Sequence, residues 1–308
     1  MVRNFYNNPK RRFSKHEMKQ PKFLYLALLG ALALSSQGTA LAQDASRWHN
    51  VDVNEQNREP RRAAFFAYET QDKAQSFEKK GSANYPSMEG MWKFNLVKDH
   101  NNRPANFFAA NYDDSSWTDF PVPGLFELNG FGDATYKNVG YAWATQFDPK
   151  PPYISELNNY TGSYRRTFDL PANWKGRDVF FHVGSATSNL TLWVNGKFVG
   201  YSEDSKVAAE FNISKYLKPG KNLIAMQVMR WCDGSYFEDQ DFWRLTGIAR
   251  EVYLYSRPKV PLPLNETCAL FSTSLRISSR FAFSSSIVYT LLGWNGMAII
   301  GRILSSST

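Results

Sequence analysis

Residues 236–255, YFEDQDFWRLTGIAREVYLY, place three carboxylates, Glu238, Asp239 and Asp241, beside Trp243 and the arginines Arg244 and Arg250. Two carboxyl groups facing one acetal linkage can cleave it, one donating a proton and the other acting as nucleophile or base. Acids interleaved with arginines can equally form an ion-paired loop with no part in bond breaking. The residues after the cluster favour the second reading, because Val252 and Leu254 alternate with other residues at the two-residue period of a strand. An ion-paired loop supporting a buried strand is the expectation here, with Trp243 as a packing anchor.

Other chemistry finds little support. His16, His49, His100 and His182 are scattered without metal-ligand spacing, so they predict no zinc site. Cys232 and Cys268 are too few for a disulfide framework and read as incidental. Neither a glycine-rich phosphate loop nor a βαβ alternation occurs, which argues against nucleotide cofactors.

The elements that must position these residues are strands. In MEGMWKFNLV, Met91, Lys93 and Asn95 alternate with Trp92, Phe94 and Leu96. RDVFFHV (177–183) and LTLWVNGKFVGY (190–201) read as strands, the second interrupted at Asn195-Gly196, a pair suited to a two-residue type I′ hairpin. A short helix or turn over Ile213 to Leu217 precedes a strand with Ile224, Met226 and Val228 on one face. Many short strands, frequent turn residues and no long amphipathic helix predict an all-β protein, an antiparallel β-sandwich. Residues 61–85 are polar without periodicity and suit an extended arm.

The 308 residues are 43% hydrophobic and 16% aromatic, enough for a substantial core, and carry a formal net charge of +8. Most of that charge lies in the head, where Arg3, Lys10, Arg11, Arg12, Lys15, Lys19 and Lys22 face only Glu17, so it does not point to nucleic acid. FLYLALLGALAL (23–34) followed by Ala40-x-Ala42 reads as a secretory signal over residues 1–42, most regular if translation starts at Met18, and predicts export to the periplasm or beyond. After Val260 the chain turns serine-rich, with Glu266 as its only acid. IVYTLLGWNGMAII within it is too short for a membrane span and is broken by Asn295.

Five strings in order, EGMWKF, YDDSSWTDFPVPG, YKNVGYAW, LWVNGKFVGYSEDSKVAAEFNIS and RWCDGSYFEDQDFWRLTGIAREVYL, resemble the amino-terminal sugar-binding domain of glycoside hydrolase family 2 β-galactosidases over Met88 to Arg257. The resemblance implies a jelly-roll sandwich of the galactose-binding-domain type, which in the intact enzyme packs on an immunoglobulin-like domain and a (β/α)8 barrel. It further implies that the catalytic glutamates and the magnesium ligands lie on the barrel, and that homo-oligomers belong to the full-length enzyme. Asp204 matches the family aspartate that binds galactosyl hydroxyls and a sodium ion, and Asn138 the asparagine that contacts the same sugar; both are expected on exposed loops at one edge of the sandwich. Tyr136 and Trp143, close by, are expected in the core.

The resulting expectation is a signal peptide over 1–42, an arm over 43–87, the sugar-binding domain over 88–258 and an unfolded, non-family tail over 259–308, as after a frameshift or premature stop. Its parent reaction is hydrolysis of terminal β-galactosides, to which this fragment contributes no catalytic residue, and it is expected to be inactive alone. The alternatives are a sister β-glucuronidase or β-mannosidase, or a free carbohydrate-binding module, for which no aromatic platform is evident in the sequence.

Overall fold

Trp92 and Phe94 turn inward from their strand while Met91 stays on the surface, so the alternation in the sequence is realised in space. The structure, a computed structural model, describes residues 47–259, 288–292 and 298–302. The expected signal peptide, the Met18 start, His16, Glu266 and Cys268 lie outside the described residues.

In chain order the strands are β1 (Glu55–Gln56), β2 (Phe66–Tyr68), β3 (Gly90–Val97), β4 (Thr118–Val122), β5 (Gly124–Leu125), β6 (Thr135–Tyr141), β7 (Thr161–Asp169) and β8 (Asp178–Val183). They continue as β9 (Leu190–Val194), β10 (Lys197–Ser202), β11 (Ala209–Asn212), β12 (Lys221–Met229), β13 (Gln240–Arg244), β14 (Gly247–Ile248), β15 (Val252–Arg257), β16 (Val288–Leu292) and β17 (Ala298–Arg302). A seven-stranded sheet runs β1-β10-β9-β12-β7-β3-β4 and a three-stranded sheet β11-β8-β15. Every pairing is antiparallel.

The two sheets form a β-sandwich. Its core draws Phe94, Tyr164, Leu192, Ile224, Met226 and Val228 from the larger sheet and Phe181, Val183, Phe211, Val252 and Leu254 from the smaller. The expected face of β12 is therefore the core face, and Val252 and Leu254 point inward as their spacing predicts. β12 is buried on its other side too, because Phe107 and Trp117, from the loop before β4, pack with Trp193 and Ala225. The hairpin between β9 and β10 has φ +50° at Asn195 and +82° at Gly196, the left-handed pair of a type I′ turn. Asn195 also closes the turn with its side chain, which accepts from Leu223 N at 3.0 Å and donates to Tyr216 O at 2.9 Å. The expected helix after β11 is one 3-10 turn, Ser214–Tyr216.

Two segments are more regular than their composition indicates. The arm is not wholly extended: it contains β2 and α1 (Gln71–Ser76), capped by Thr70, whose hydroxyl accepts from Lys73 N at 3.3 Å, and anchored by buried Ala74. One apolar contact and a good cap hold a helix too short to show a periodicity. In the tail, 288–292 and 298–302 pair as antiparallel strands, and β17 continues onto β2. These ten residues differ from the expectation of a wholly unfolded tail; valine, isoleucine, tyrosine and threonine suit a pleated backbone, and β2 offers an edge to pair with. The rest of 260–308 lies outside the described residues.

Candidate functional site

β10 ends by delivering Tyr201 and Glu203 to the interior and Asp204 to the surface. Asp204 adopts φ +74° and Lys206 φ +70°, so the chain turns sharply and Lys206 N reaches Ala186 O at 3.2 Å. Aspartate tolerates the left-handed region better than most residues. The Asp204 carboxylate is paired with the Arg61 guanidinium, each side chain 47% exposed. Solvent screening makes such a contact weak and readily exchanged for another ligand. Asp204 supplies one hard oxygen-bearing group, which suits sodium chemically, but a full shell needs several more oxygens.

The acidic segment is what the turn rests on. Glu238 accepts from Ser205 N at 3.0 Å and Ser205 Oγ at 2.6 Å, and Lys206 pairs with Asp239 while lying 4.5 Å from the Phe242 ring centroid. Arg244, fully buried, pairs with Asp239 at 2.7 Å and Glu238 at 3.3 Å and donates to Ser235 Oγ at 3.0 Å. The ion-paired loop expected from sequence is thus present, with a different partner list. Arg250 donates to Lys206 O at 2.8 Å rather than to the acids, and Asp241 accepts from Tyr136 at 3.1 Å. Arg250 follows β14, which pairs with β5.

β13 then pairs with β6, Phe242 opposite Lys137 and Gln240 opposite Tyr141, and the register slips between them. Asn138 sits in that slip. It is exposed, as expected, but on a strand at an irregularity rather than on a loop. Lys206 against Phe242 and Lys137 opposite Phe242 bring the turn carrying Asp204 and the ribbon carrying Asn138 onto the same segment.

Two aromatic assignments need correction. Tyr136 is 48% exposed and Trp243 50% exposed, with ring centroids 5.3 Å apart, so neither is a core residue or packing anchor. β13 is exposed on both faces from Gln240 to Trp243, so the ribbon gives these rings no core to enter. Trp143, by contrast, is partly buried against Phe147 and Tyr236, as expected.

Beneath the turn lies a feature the sequence did not reveal. Glu203, Cys232 and Asp233 are all buried, with a ligand-capable atom of each within 4.8 Å of the others. Burial, then the neighbouring Asp233 carboxylate, pushes Glu203 up to about 9, and burial likewise raises the Cys232 thiol. Adjacency of Glu203 to Asp204 is the only sequence clue, and it says nothing of Cys232 or Asp233. Of the histidines, His182 meets Glu210 at 2.9 Å and His100 is buried against Thr161, its pKa lowered to about 3 chiefly by burial. Among the described residues no helix is long and apolar enough to cross a membrane.

Residues 85–258 match the family profile described as glycosyl hydrolases family 2, sugar binding domain. A β-galactosidase of Priestia megaterium is 40% identical over 223 residues, 72% of this chain and 22% of that protein. A β-galactosidase of Halalkalibacterium halodurans is 38% identical over 211 residues, 68% of this chain and 21% of that protein. This chain thus spans about a fifth of the length of these relatives. Among solved structures, a Bacteroides uniformis β-glucuronidase aligns with a TM-score of 0.43 and 24% identity, over 56% of this chain and 18% of that one.

Proposed function

Because the chain belongs to glycosyl hydrolase family 2 through its sugar-binding domain, we propose that it is the amino-terminal part of a β-galactosidase and forms one wall of the galactosyl site. The observation that carries this is that the turn carrying Asp204 and the strand carrying Asn138 both pack on the acidic segment, with both residues exposed. A carboxylate accepts hydrogen bonds from vicinal hydroxyls, and an amide satisfies a hydroxyl as donor or acceptor. In this reading the sugar displaces Arg61 from Asp204, and the same carboxylate offers one oxygen to sodium, the remaining oxygens coming from elsewhere in the intact enzyme. Magnesium and the two carboxyl groups of the reaction belong to the barrel that the resemblance implies. The family supports a sugar as substrate; galactose in particular, and export to the periplasm or beyond, are part of the proposal.

The test is a chemical-shift titration of the 15N-labelled chain with galactose, glucuronate and mannose. Galactose should move the amides of Asp204 and Asn138 with an affinity weaker than about millimolar, because a ligand held from one side buries little surface. A glucuronate preference, or shifts confined to other parts of the domain, would overturn it.

The exposed Tyr136–Trp243 pair favours a second reading, a free carbohydrate-binding module, since neighbouring exposed aromatic rings, here tilted at 41°, are the platform such a module needs. That reading predicts that Trp243→Ala abolishes sugar binding while Asp204→Asn leaves it intact.

A further inference from the structure

Glu203 leaves β10 and Asp233 opens the 3-10 turn Asp233–Tyr236, yet the two carboxylates are buried together, 5% and 6% exposed, with the fully buried Cys232 thiol beside them. Tyr201 donates to one Glu203 oxygen at 2.5 Å and Gly234 N to one Asp233 oxygen at 2.8 Å. The other Asp233 oxygen, Oδ2, is buried without a hydrogen-bond partner. Among the described residues the ion pairs of this region join Arg244 and Lys206 to Glu238 and Asp239, and none reaches Glu203 or Asp233. Two buried anions side by side with no cation would be costly, so in the absence of a metal Glu203 keeps its proton beside Asp233.

Gly234 shows where the donors converge. A β-carbon at this position would lie 3.7 Å from Cys232 Sγ, 3.9 Å from Glu203 Oε2 and 3.9 Å from Glu238 Oε1. The missing side chain leaves a space faced by a thiol and two carboxylates, with Asp233 next in sequence.

We propose that Glu203, Cys232 and Asp233 form a closed site for one divalent cation, with zinc as the preferred ion, that clips the Asp204 turn to the start of the acidic segment. Sulfur together with carboxylate oxygen is a borderline-soft donor set that suits zinc better than calcium or magnesium. Zinc ligands at about 2.0–2.3 Å from the ion stand roughly 3.6 Å apart in a tetrahedron, so donor atoms within 4.8 Å of one another need to draw together by about 1 Å to hold it. Glu238 Oε1, which accepts from Ser205 N, faces the same space. Binding displaces two protons to solvent, one from the Cys232 thiol and one from Glu203, and leaves a thiolate and two carboxylates on the metal. The site is independent of which sugar the domain binds.

The test uses the full chain carrying Cys268→Ser, stripped with a chelator, dialysed and then titrated with zinc by calorimetry and with cobalt by absorption. The expected result is one equivalent of zinc and, for cobalt, a thiolate-to-metal charge-transfer band. Cys232→Ser removes the band; Glu203→Gln and Asp233→Asn each weaken zinc at least about tenfold. Gly234→Ala is the control for folding: its methyl meets only ordinary van der Waals distances, so the circular dichroism stays native while zinc affinity falls by a similar factor. No stoichiometric uptake by the parent chain, cobalt bound without the charge-transfer band, or uptake unchanged in all four variants would each overturn the proposal, the first showing that a proton alone holds the two carboxyls together.

Discussion

In the chelator-treated protein, Glu203→Gln should change how stability depends on pH. Burial and the adjacent Asp233 push Glu203 up to about 9 from an ordinary 4.5. The folded protein therefore keeps the Glu203 proton up to about pH 9, whereas the unfolded chain releases it above pH 4.5. Between those values unfolding releases a proton, so stability falls as pH rises, by ~1.4 kcal/mol per pH unit while the folded form stays protonated. From pH 6 to pH 8 this one group costs the wild type on the order of 2–3 kcal/mol. Glutamine fills the same space, can accept from Tyr201 and can donate to the unpartnered Asp233 oxygen, and it does not titrate. Urea denaturation of both proteins at pH 6 and pH 8, with chelator present, gives the comparison: the variant should gain on the wild type by roughly that 2–3 kcal/mol at the higher pH. Parallel profiles would refute the reasoning, since they would mean that Glu203 ionises alike in folded and unfolded chains.

Arg244→Met should destabilise by about 3–5 kcal/mol, because it leaves the buried Asp239 with the half-exposed Lys206 as its remaining cation; urea midpoints measure this, and a cost below about 1 kcal/mol would contradict the role given to the pair. Asn195→Ala should lose about 1–3 kcal/mol, as it removes the bonds to Leu223 N and Tyr216 O and places a β-carbon-bearing residue without side-chain support at φ +50°. Gly200→Ala should fail to give soluble folded protein, since its β-carbon would stand 2.5 Å from Gln56 O and 2.6 Å from the Phe211 ring. The chain freed of host enzyme should show no turnover of nitrophenyl β-galactoside above a heat-denatured control, because Glu238 and Asp239 are engaged by Arg244, Lys206 and Ser205; activity lost on Glu238→Gln would show the acidic segment to be catalytic.

Local geometry was legible in the chain alone. Trp92 and Phe94, Ile224 to Val228, and Val252 and Leu254 declare their faces because a strand alternates with a fixed period, and Asn195-Gly196 declares its turn because few other residues accept positive φ twice running. Asp204 and Asn138 were legible as members of an ordered set of strings. Contacts between distant segments were not, because their energy depends on approach and burial that no spacing encodes. It took the folded arrangement to settle that Arg244 serves the acids and Arg250 does not, and that Tyr136 and Trp243 lie on a ribbon exposed on both faces of β13. The joining of Glu203 to Cys232 and Asp233 is of the same kind: β10 must pair in its own register, and the chain after β12 must return beneath it, before two carboxylates and a thiol become one site.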